Sequence, residues 1–182
     1  MWKCFINYEK EEEWLNEMSA KGFALIDFFL CRYVFADSTP GEFIYRIELL
    51  EHFSGHPESQ RYLNFMTENG AEHIAFWHRW VYFRKKAEDG AFDIYSDIDS
   101  RVAHYKRVST LFLCIGIAEI CIGSSQFNFA LNHILSGKPL ALYSMNILVL
   151  GLTWSFGVIL LFMWNSLRKK IKKLKQAKSM WE

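Results

Sequence analysis

Two apolar stretches near the C-terminal end decide the fold: VSTLFLCIGIAEICIGSSQFNFAL at residues 108–131 and LALYSMNILVLGLTWSFGVILLFMW at residues 140–164. Each is longer than the roughly 20 mostly apolar residues that a helix needs to cross the hydrocarbon core of a membrane. Gly137 and Pro139, which interrupt helices, lie in the link between them. The pair therefore predicts a transmembrane helical hairpin. The alternative is that one stretch is a core helix of a soluble protein.

The positive charges that flank these stretches predict the orientation of the hairpin. Three cations lie shortly before the first stretch and seven follow the second, whereas the link contains only Lys138. Lys and Arg close to membrane spans mark the cytoplasmic side. We therefore expect a multi-pass protein of the cell membrane with both termini in the cytoplasm. The residues expected to contact the membrane surface are Arg168, Lys169, Lys170, Lys172 and Lys173.

The two parts of the chain carry opposite net charge. Residues 1–100 contain ten Lys or Arg and 18 Asp or Glu, about −8, whereas residues 101–182 contain 11 and two, about +9. Nucleic-acid binding needs clustered cations, so the acidic part does not favour direct contact with nucleic acid. The four cysteines form no CxxC pair and fall in segments predicted to be cytoplasmic or intramembrane, where disulfides are rare. All four are expected to be free thiols: Cys4, Cys31, Cys114 and Cys121.

An internal repeat organises the first hundred residues. WLNEMSAKG at residues 14–22 aligns with YLNFMTENG at residues 62–70, and the similarity continues into the residues that follow. Each copy predicts a helix that ends at Gly22 or Gly70, then strand, turn and strand, with turns at residues 38–41 and 87–90. We expect an α+β domain over residues 1–98, with repeats at about 9–50 and 58–97. Its antiparallel sheet of four or five strands would carry two helices on one face, with a ferredoxin-like order as the first expectation.

A stiff connection to the membrane is predicted after this domain. Nothing between Arg101 and Val108 breaks a helix, so one helix should run from about residue 99 through the first span. Residues 99–164 then comprise this juxtamembrane helix and the two spans, and residues 165–182 form a basic cytoplasmic tail. The tail places Leu167, Ile171 and Leu174 on one stripe, typical of an amphipathic helix on a membrane surface. Packing of the tail on the domain or on another copy is the alternative.

Three motifs in the first hundred residues resemble a known family. They are EEEWLNEMSAKG at residues 11–22, PGEFIYR at residues 40–46 and WVYFRKK at residues 80–86. The chain is similar here to a family of Firmicute membrane proteins known only as a domain of unknown function, number twenty-eight twelve. Genes of that family often lie beside PadR-type transcription regulators, which implies a role in sensing or in holding a regulator. The resemblance implies no catalytic residues.

Polar residues inside the predicted spans form a candidate intramembrane site. Glu119 lies in the middle of the first span, where a charge costs at least about 2.5 kcal/mol. One interpretation is a switch that responds to protons or a ligand; the other is a neutral carboxyl that hydrogen-bonds between closely packed helices. The candidate site comprises Glu119, Gln126, Asn146, Thr153 and Ser155.

Aromatic residues on both faces of the predicted strands form a second candidate site. If the helices cover only one face, the surplus aromatics on the other face form an exposed apolar patch, which typically marks a binding surface. The alternative is that the tail, the membrane or a second copy covers this face. The candidate partner or ligand surface comprises Phe29, Tyr33, Phe76, Trp77, Trp80 and Tyr82.

No motif predicts an enzyme. The chain contains no phosphate-binding glycine loop, no HExxH and no GxSxG. His52 and His56 have a spacing that metal sites use on helices, but Phe53, Gly55 and Pro57 favour a loop, so we expect no metal and no cofactor. The sequence thus predicts a non-enzymatic regulatory or sensory membrane protein that binds a protein partner, with homodimerisation left open. The alternative is an accessory subunit of a membrane complex such as a transporter.

Overall fold

The computed structural model describes residues 1–95, 97–137 and 144–180. The chain divides into two compact units, Met1–Ser96 and Asp97–Glu182. The first unit is a mixture of helices and antiparallel strands, and the second consists of two long apolar helices.

The first unit alternates helices with strand pairs. Its elements are α1 (Tyr8–Ala20), β1 (Phe23–Phe29), β2 (Arg32–Asp37), β3 (Phe43–Leu49), α2 (Pro57–Glu68), β4 (Glu72–Trp77), β5 (Trp80–Lys86) and a 3-10 turn (Ala87–Asp89). The order helix, strand, strand occurs twice, as α1-β1-β2 and as α2-β4-β5.

Local sequence signals explain where both helices of this unit begin and end. The Asn7 side chain accepts a hydrogen bond from the Glu9 N–H and caps α1, and His56 does the same for α2, which starts at Pro57. After the helices, Gly22 and Gly70 adopt φ values of 87° and 80°. These left-handed conformations favour glycine and end each helix, as the sequence predicts.

The predicted hairpin turns are displaced. The tight turns lie at Leu30-Cys31, where both φ values are positive, and at His78, with a φ of 57°. Residues 38–41 instead connect strands of different sheets, and no strand follows residues 87–90 in the described part of this unit. The segment predicted as the first strand of each copy is therefore a whole two-stranded hairpin.

The strands form two sheets rather than the predicted single sheet. β1 pairs with β2, and a separate sheet has the order β3-β5-β4, with all pairs antiparallel. In the second sheet, α2 connects β3 to β4 while β5 lies between them, which is a split β-α-β arrangement. A complete ferredoxin-like order stays a prediction, since that fold requires a fourth strand in the same sheet.

The two helices of the first unit pack on opposite faces of the three-stranded sheet. On β5, Tyr82 belongs to the apolar cluster around α1, whereas its neighbours Val81 and Phe83 belong to the cluster around α2. Successive side chains of a strand point to opposite faces, so the two helices lie on different sides. The prediction of two helices on one face is wrong. Aromatic residues occur on both strand faces because both faces are covered.

Side chains of α1 cover the free edge of β3, the outermost strand of its sheet. The N–H groups of Phe43, Tyr45 and Ile47 donate to Ser19 Oγ (3.3 Å), Asn16 Oδ1 (2.9 Å) and Glu12 Oε2 (2.9 Å) respectively. Alternate strand residues thus meet helix residues spaced four and three apart. This pattern satisfies backbone groups that an exposed edge would offer to another chain.

The N-terminal residues run beside β2. Lys3 N–H donates to the Cys31 carbonyl at 2.9 Å, and Tyr33 N–H donates to the Met1 carbonyl at 2.8 Å. This pairing brings Cys4 to Cys31, with Cα atoms 4.8 Å apart, and the two form a disulfide. The expectation of four free thiols is therefore wrong for this pair, whereas Cys114 and Cys121 are free.

The second unit consists of α3 (Ile98–Leu135) and α4 (Ser144–Ser179). Asp97 Oδ1 accepts the Ser100 N–H at 2.7 Å and caps α3, which continues unbroken through the first apolar stretch, as predicted. α4 joins the second stretch to the tail. Both helices are long and apolar enough to cross a membrane. The predicted start of the second span at residue 140 and the tail's Trp181 lie outside the described residues.

Small residues line the contact between α3 and α4. Ser109, Gly116, Gly123 and Ala130 recur every seven residues of α3, and all four are buried. A Cβ on Gly116 would lie 3.2 Å from Leu161, and one on Gly123 would overlap the Trp154 indole. The glycines therefore permit the close approach that membrane helices typically use.

Candidate functional site

A buried carboxyl connects the helix and both sheets of the first unit. Glu11 of α1 is only 7% exposed. Tyr33 of β2 and Tyr82 of β5 each donate a hydroxyl hydrogen bond of 2.6 Å to its Oε1 atom. The sequence did not predict this junction, because the two tyrosines are distant from Glu11 in the chain.

The electrostatics of this junction follow from burial. Loss of solvent raises the pKa of Glu11 above its ordinary value, and the hydrogen bonds from both tyrosines oppose that rise. Burial, together with the neighbouring carboxyl, raises the pKa of Tyr33 and Tyr82, so both phenols keep their protons. Tyr33 and Tyr82 are 1% and 3% exposed. The junction therefore stabilises the fold and offers no open side to a substrate.

Two of the residues predicted for a partner surface are thus in the core. Tyr33 and Tyr82 are the tyrosines of the junction, so that part of the prediction is wrong. Phe76, Trp77 and Trp80 are half-buried and pack against the two apolar clusters. Of the six predicted residues, Phe29 alone is largely exposed, at 62%.

Three exposed apolar side chains lie in or beside the β1–β2 turn. Phe29 pairs with Arg32 across the hairpin, and Trp2 bridges to the same Arg32 from the other side. Directly paired residues of neighbouring strands point to one face. Trp2 is 73% exposed and Leu30, in the turn itself, is 55% exposed. We call Trp2, Phe29 and Leu30 the turn patch.

Three potential metal ligands meet where the chain enters α2. Atoms of His52, His56 and Glu58 lie within 4.8 Å of one another. His52 Nε2 lies 3.1 Å from a Glu58 carboxylate oxygen, and His56 Nδ1 accepts the Glu58 N–H at 3.3 Å. These contacts make a helix cap and an ion pair. These three residues could hold a metal ion. Their geometry therefore does not test the expectation that the protein binds no metal.

The predicted intramembrane residues lie on α3 and α4. The Cβ atom of Glu119 lies 3.2 Å from the position that a Cβ on Gly157 would take. The Thr153 hydroxyl donates to the Leu150 carbonyl of its own helix. Glu119, Gln126, Asn146 and Thr153 are half-buried, whereas Ser155 is exposed. A shared polar site stays a prediction.

A cationic cavity lies between α3 and α4 where the apolar stretches end. Its volume is about 720 Å³. Arg168, Lys169 and Lys172, predicted to contact the membrane surface, line it together with Lys106 of α3. Lys170 and Lys173, which belong to the same prediction, do not line it. The sequence predicted the charges but not which of them line a cavity with Lys106.

Residues 7–117 match the sequence family described as protein of unknown function (DUF2812). The chain belongs to the DUF2812 family. No curated protein and no solved structure matches the chain.

The DUF2812 match covers α1 through β5 and continues into α3. It contains the Glu11 junction and the α3 side of the cationic cavity, whereas α4 lies outside it. DUF2812 membership agrees with the resemblance deduced from the sequence motifs. The Firmicute origin and the neighbouring PadR-type regulator remain implications of that resemblance.

Proposed function

We propose that this DUF2812 protein is a non-enzymatic, membrane-anchored regulatory protein whose first unit binds a protein partner. Two helices that could span a membrane support the anchor. The distribution of Lys and Arg supports a cytoplasmic position for both termini, whereas the Cys4–Cys31 disulfide is a bond rarely found in that compartment. α3 runs unbroken from Ile98 through the first apolar stretch.

The turn patch is the observation that carries the proposal. It places two aromatic side chains and a leucine, each more than half exposed, at one tip of the first unit. Burying such side chains is worth about 1.5–3 kcal/mol each, so a group of them in and beside one turn favours a protein interface. Trp is also among the residues that contribute most to binding energy at interfaces.

The charge of the first unit indicates the chemistry of the partner. Residues 1–96 contain ten Lys or Arg and 16 Asp or Glu, a net charge of about −6, which attracts a surface rich in Lys or Arg. A DNA-binding regulator has such a surface. Together with the family resemblance, this makes a PadR-type transcription regulator the partner that we propose, bound as a protein and without direct contact to nucleic acid.

Binding of the purified regulator to the full chain in lipid nanodiscs tests this proposal. Phe29→Ser with Leu30→Ser should weaken binding at least tenfold, because it removes two apolar contacts of the patch. Phe53→Ser with Phe65→Ser is the matched control, since those side chains are 64% and 57% exposed outside the patch. Equal binding by wild type and both variants would show that the patch is not the interface.

An accessory role in a larger membrane complex is the second candidate. Most of the apolar surface of α3 and α4 is not buried within the unit, so lipid or another membrane protein can cover it. Copurification with another membrane protein that requires α3 and α4 but tolerates changes in the turn patch would favour this alternative. Release of the protein from vesicles by alkaline carbonate would contradict both candidates.

A further inference from the structure

The cationic cavity of the second unit contains groups that bind phosphate. Five cations from two helices line it, together with three hydroxyl groups and one amide. The lining residues are Lys106, Ser109, Thr110, Trp164, Arg168, Lys169, Ile171, Lys172, Lys175, Gln176 and Ser179.

The charge of the cavity is uncompensated by its own walls. None of the described residues that line it is acidic. The nearby Asp99 carboxylate pairs with Lys178, at 2.7 Å, and Lys178 is not a lining residue. Like charges repel when they converge in a partly enclosed space, and an anion bound among them relieves that repulsion. Ammonium, guanidinium and hydroxyl groups are the donors that phosphate oxygens accept.

The position of the cavity indicates where the phosphate comes from. Ser109 and Thr110 belong to the first residues of one apolar stretch, and Trp164 is the last residue of the other. Trp164 also lies under the Arg168 guanidinium, 4.9 Å from ring centre to Cζ. Tryptophan and arginine at this point are typical of the membrane–water interface. Trp164 and Ile171 offer apolar wall beside the cationic groups, which suits a phosphate that carries an apolar chain.

We propose that this cavity binds the phosphate of an anionic phospholipid headgroup. The inference rests on the proposed membrane anchor and makes it more specific. A Lys-rich helix attracts an anionic membrane diffusely, with a similar contribution from each cation, whereas a basic pocket between helices holds one headgroup. For diffuse attraction only the number of cations affects lipid binding. For a headgroup site, the positions of the cations on the helix affect it as well.

The helix itself provides variants that separate these possibilities. Lys169 and Lys172 line the cavity, whereas Lys170 and Lys173 are their immediate neighbours and do not. Lys169→Gln with Lys172→Gln and Lys170→Gln with Lys173→Gln each remove two positive charges from the same two turns of α4. Diffuse attraction predicts equal losses in both variants, and a headgroup site predicts unequal losses.

The experiment measures lipid binding to the full chain in a neutral detergent. Phosphatidylglycerol is titrated against each protein while the melting temperature is followed, and native mass spectrometry counts the retained lipids. Phosphatidylglycerol should stabilise the wild type and the Lys170/Lys173 variant, and phosphatidylcholine should not. The Lys169/Lys172 variant should bind at least about tenfold more weakly, because it removes two charged groups that can donate hydrogen bonds to the phosphate. Equal melting temperatures without lipid would show that all three proteins are folded.

The remaining arms identify the source of the phosphate. Glycerol phosphate and inorganic phosphate should stabilise the wild type far less than the lipid does; equal stabilisation would overturn the assignment to a lipid. Equal loss in both variants, or no effect of phosphatidylglycerol on the wild type, would overturn the site. Carbonate extraction of vesicles separates the two failures, because a protein that resists extraction and yet shows no selective site refutes this inference alone.

Discussion

Replacing the tyrosines that donate to Glu11 should destabilise the first unit. Tyr33→Phe and Tyr82→Phe each remove one hydroxyl and leave the ring in the core. Each hydrogen bond measures 2.6 Å and ends on the same carboxyl oxygen. Hydrogen bonds to charged groups contribute about 1.5–3 kcal/mol each, so either variant should lower the free energy of unfolding by about that amount.

Replacing both tyrosines together, or replacing Glu11, extends this prediction. Tyr33→Phe with Tyr82→Phe should cost less than the sum of the single changes, because a carboxyl that has lost both donors binds a proton instead of remaining charged. Glu11→Ala should cost about 2–6 kcal/mol, since two buried hydroxyls each lose their acceptor at about 1–3 kcal/mol. This is a large part of the 5–15 kcal/mol that typically stabilises a domain.

Urea unfolding of the full chain in mild detergent, followed by tryptophan fluorescence, measures these changes. Trp14 lies in the same apolar cluster as both tyrosines and reports on it. Glu13→Ala is the control, because Glu13 is an exposed acid on the same helix and should shift the transition by less than about 0.5 kcal/mol. If the single tyrosine variants are as stable as the wild type, the hydrogen bonds to Glu11 do not stabilise the first unit and the reasoning is refuted.

The same site predicts how stability depends on pH. Burial raises the pKa of Glu11 in the folded protein above the ordinary value of 4.5. Below pH 4.5 the carboxyl is protonated in both states; as pH rises from there through the raised pKa, the unfolded state ionises first and stability falls. Glu11→Gln should reduce this fall. A residual slope is expected because burial also raises the pKa of Glu12. An unchanged slope in the variant would contradict the assignment.

Two further predictions concern the helix pair and the disulfide. Gly123→Ala should lower the melting temperature of the full chain in detergent, at a cost of about 1–3 kcal/mol, because the new methyl group overlaps the Trp154 indole; Gly151→Ala, with open space around it, should have no such effect. In oxidised protein, Cys4 and Cys31 should resist alkylation until a reductant is added, and Cys4→Ser should cost about 3.5 kcal/mol in urea unfolding for a 27-residue separation. Equal alkylation of all four cysteines before reduction would contradict the pairing.

Local patterns in the sequence predict where the helices of the first unit end. The ends of α1 and α2 follow from capping residues and from Gly22 and Gly70, whose left-handed conformation is a property of a few neighbouring residues. The tight turn at Leu30-Cys31 was missed because it contains no Gly, Pro, Asn or Asp, the residues that usually mark turns. Its positive φ values are imposed by the pairing of β1 with β2.

The candidate sites likewise divide into features that the sequence predicted and features that depend on packing. The cationic tail and the apolar stretches are properties of composition, and these were predicted. Tyr82 was predicted for the partner surface because it looked surplus for a sheet covered on one face. With helices on both faces Tyr82 is a core residue, whereas Trp2 and Leu30 are exposed, and no local pattern distinguishes these two from a strand interior.

By itself, the sequence determined the two long apolar helices, the separation of acidic and basic parts, and the points where α1 and α2 end. These depend on residues close together in the chain, where hydrophobic length, charge and capping act. Only the tertiary structure decided that the strands form two sheets, that Glu11 meets Tyr33 and Tyr82, and that lysines of α4 face Lys106 across a cavity. Those arrangements join residues far apart in sequence, and they depend on which faces pack together when apolar surface is removed from water.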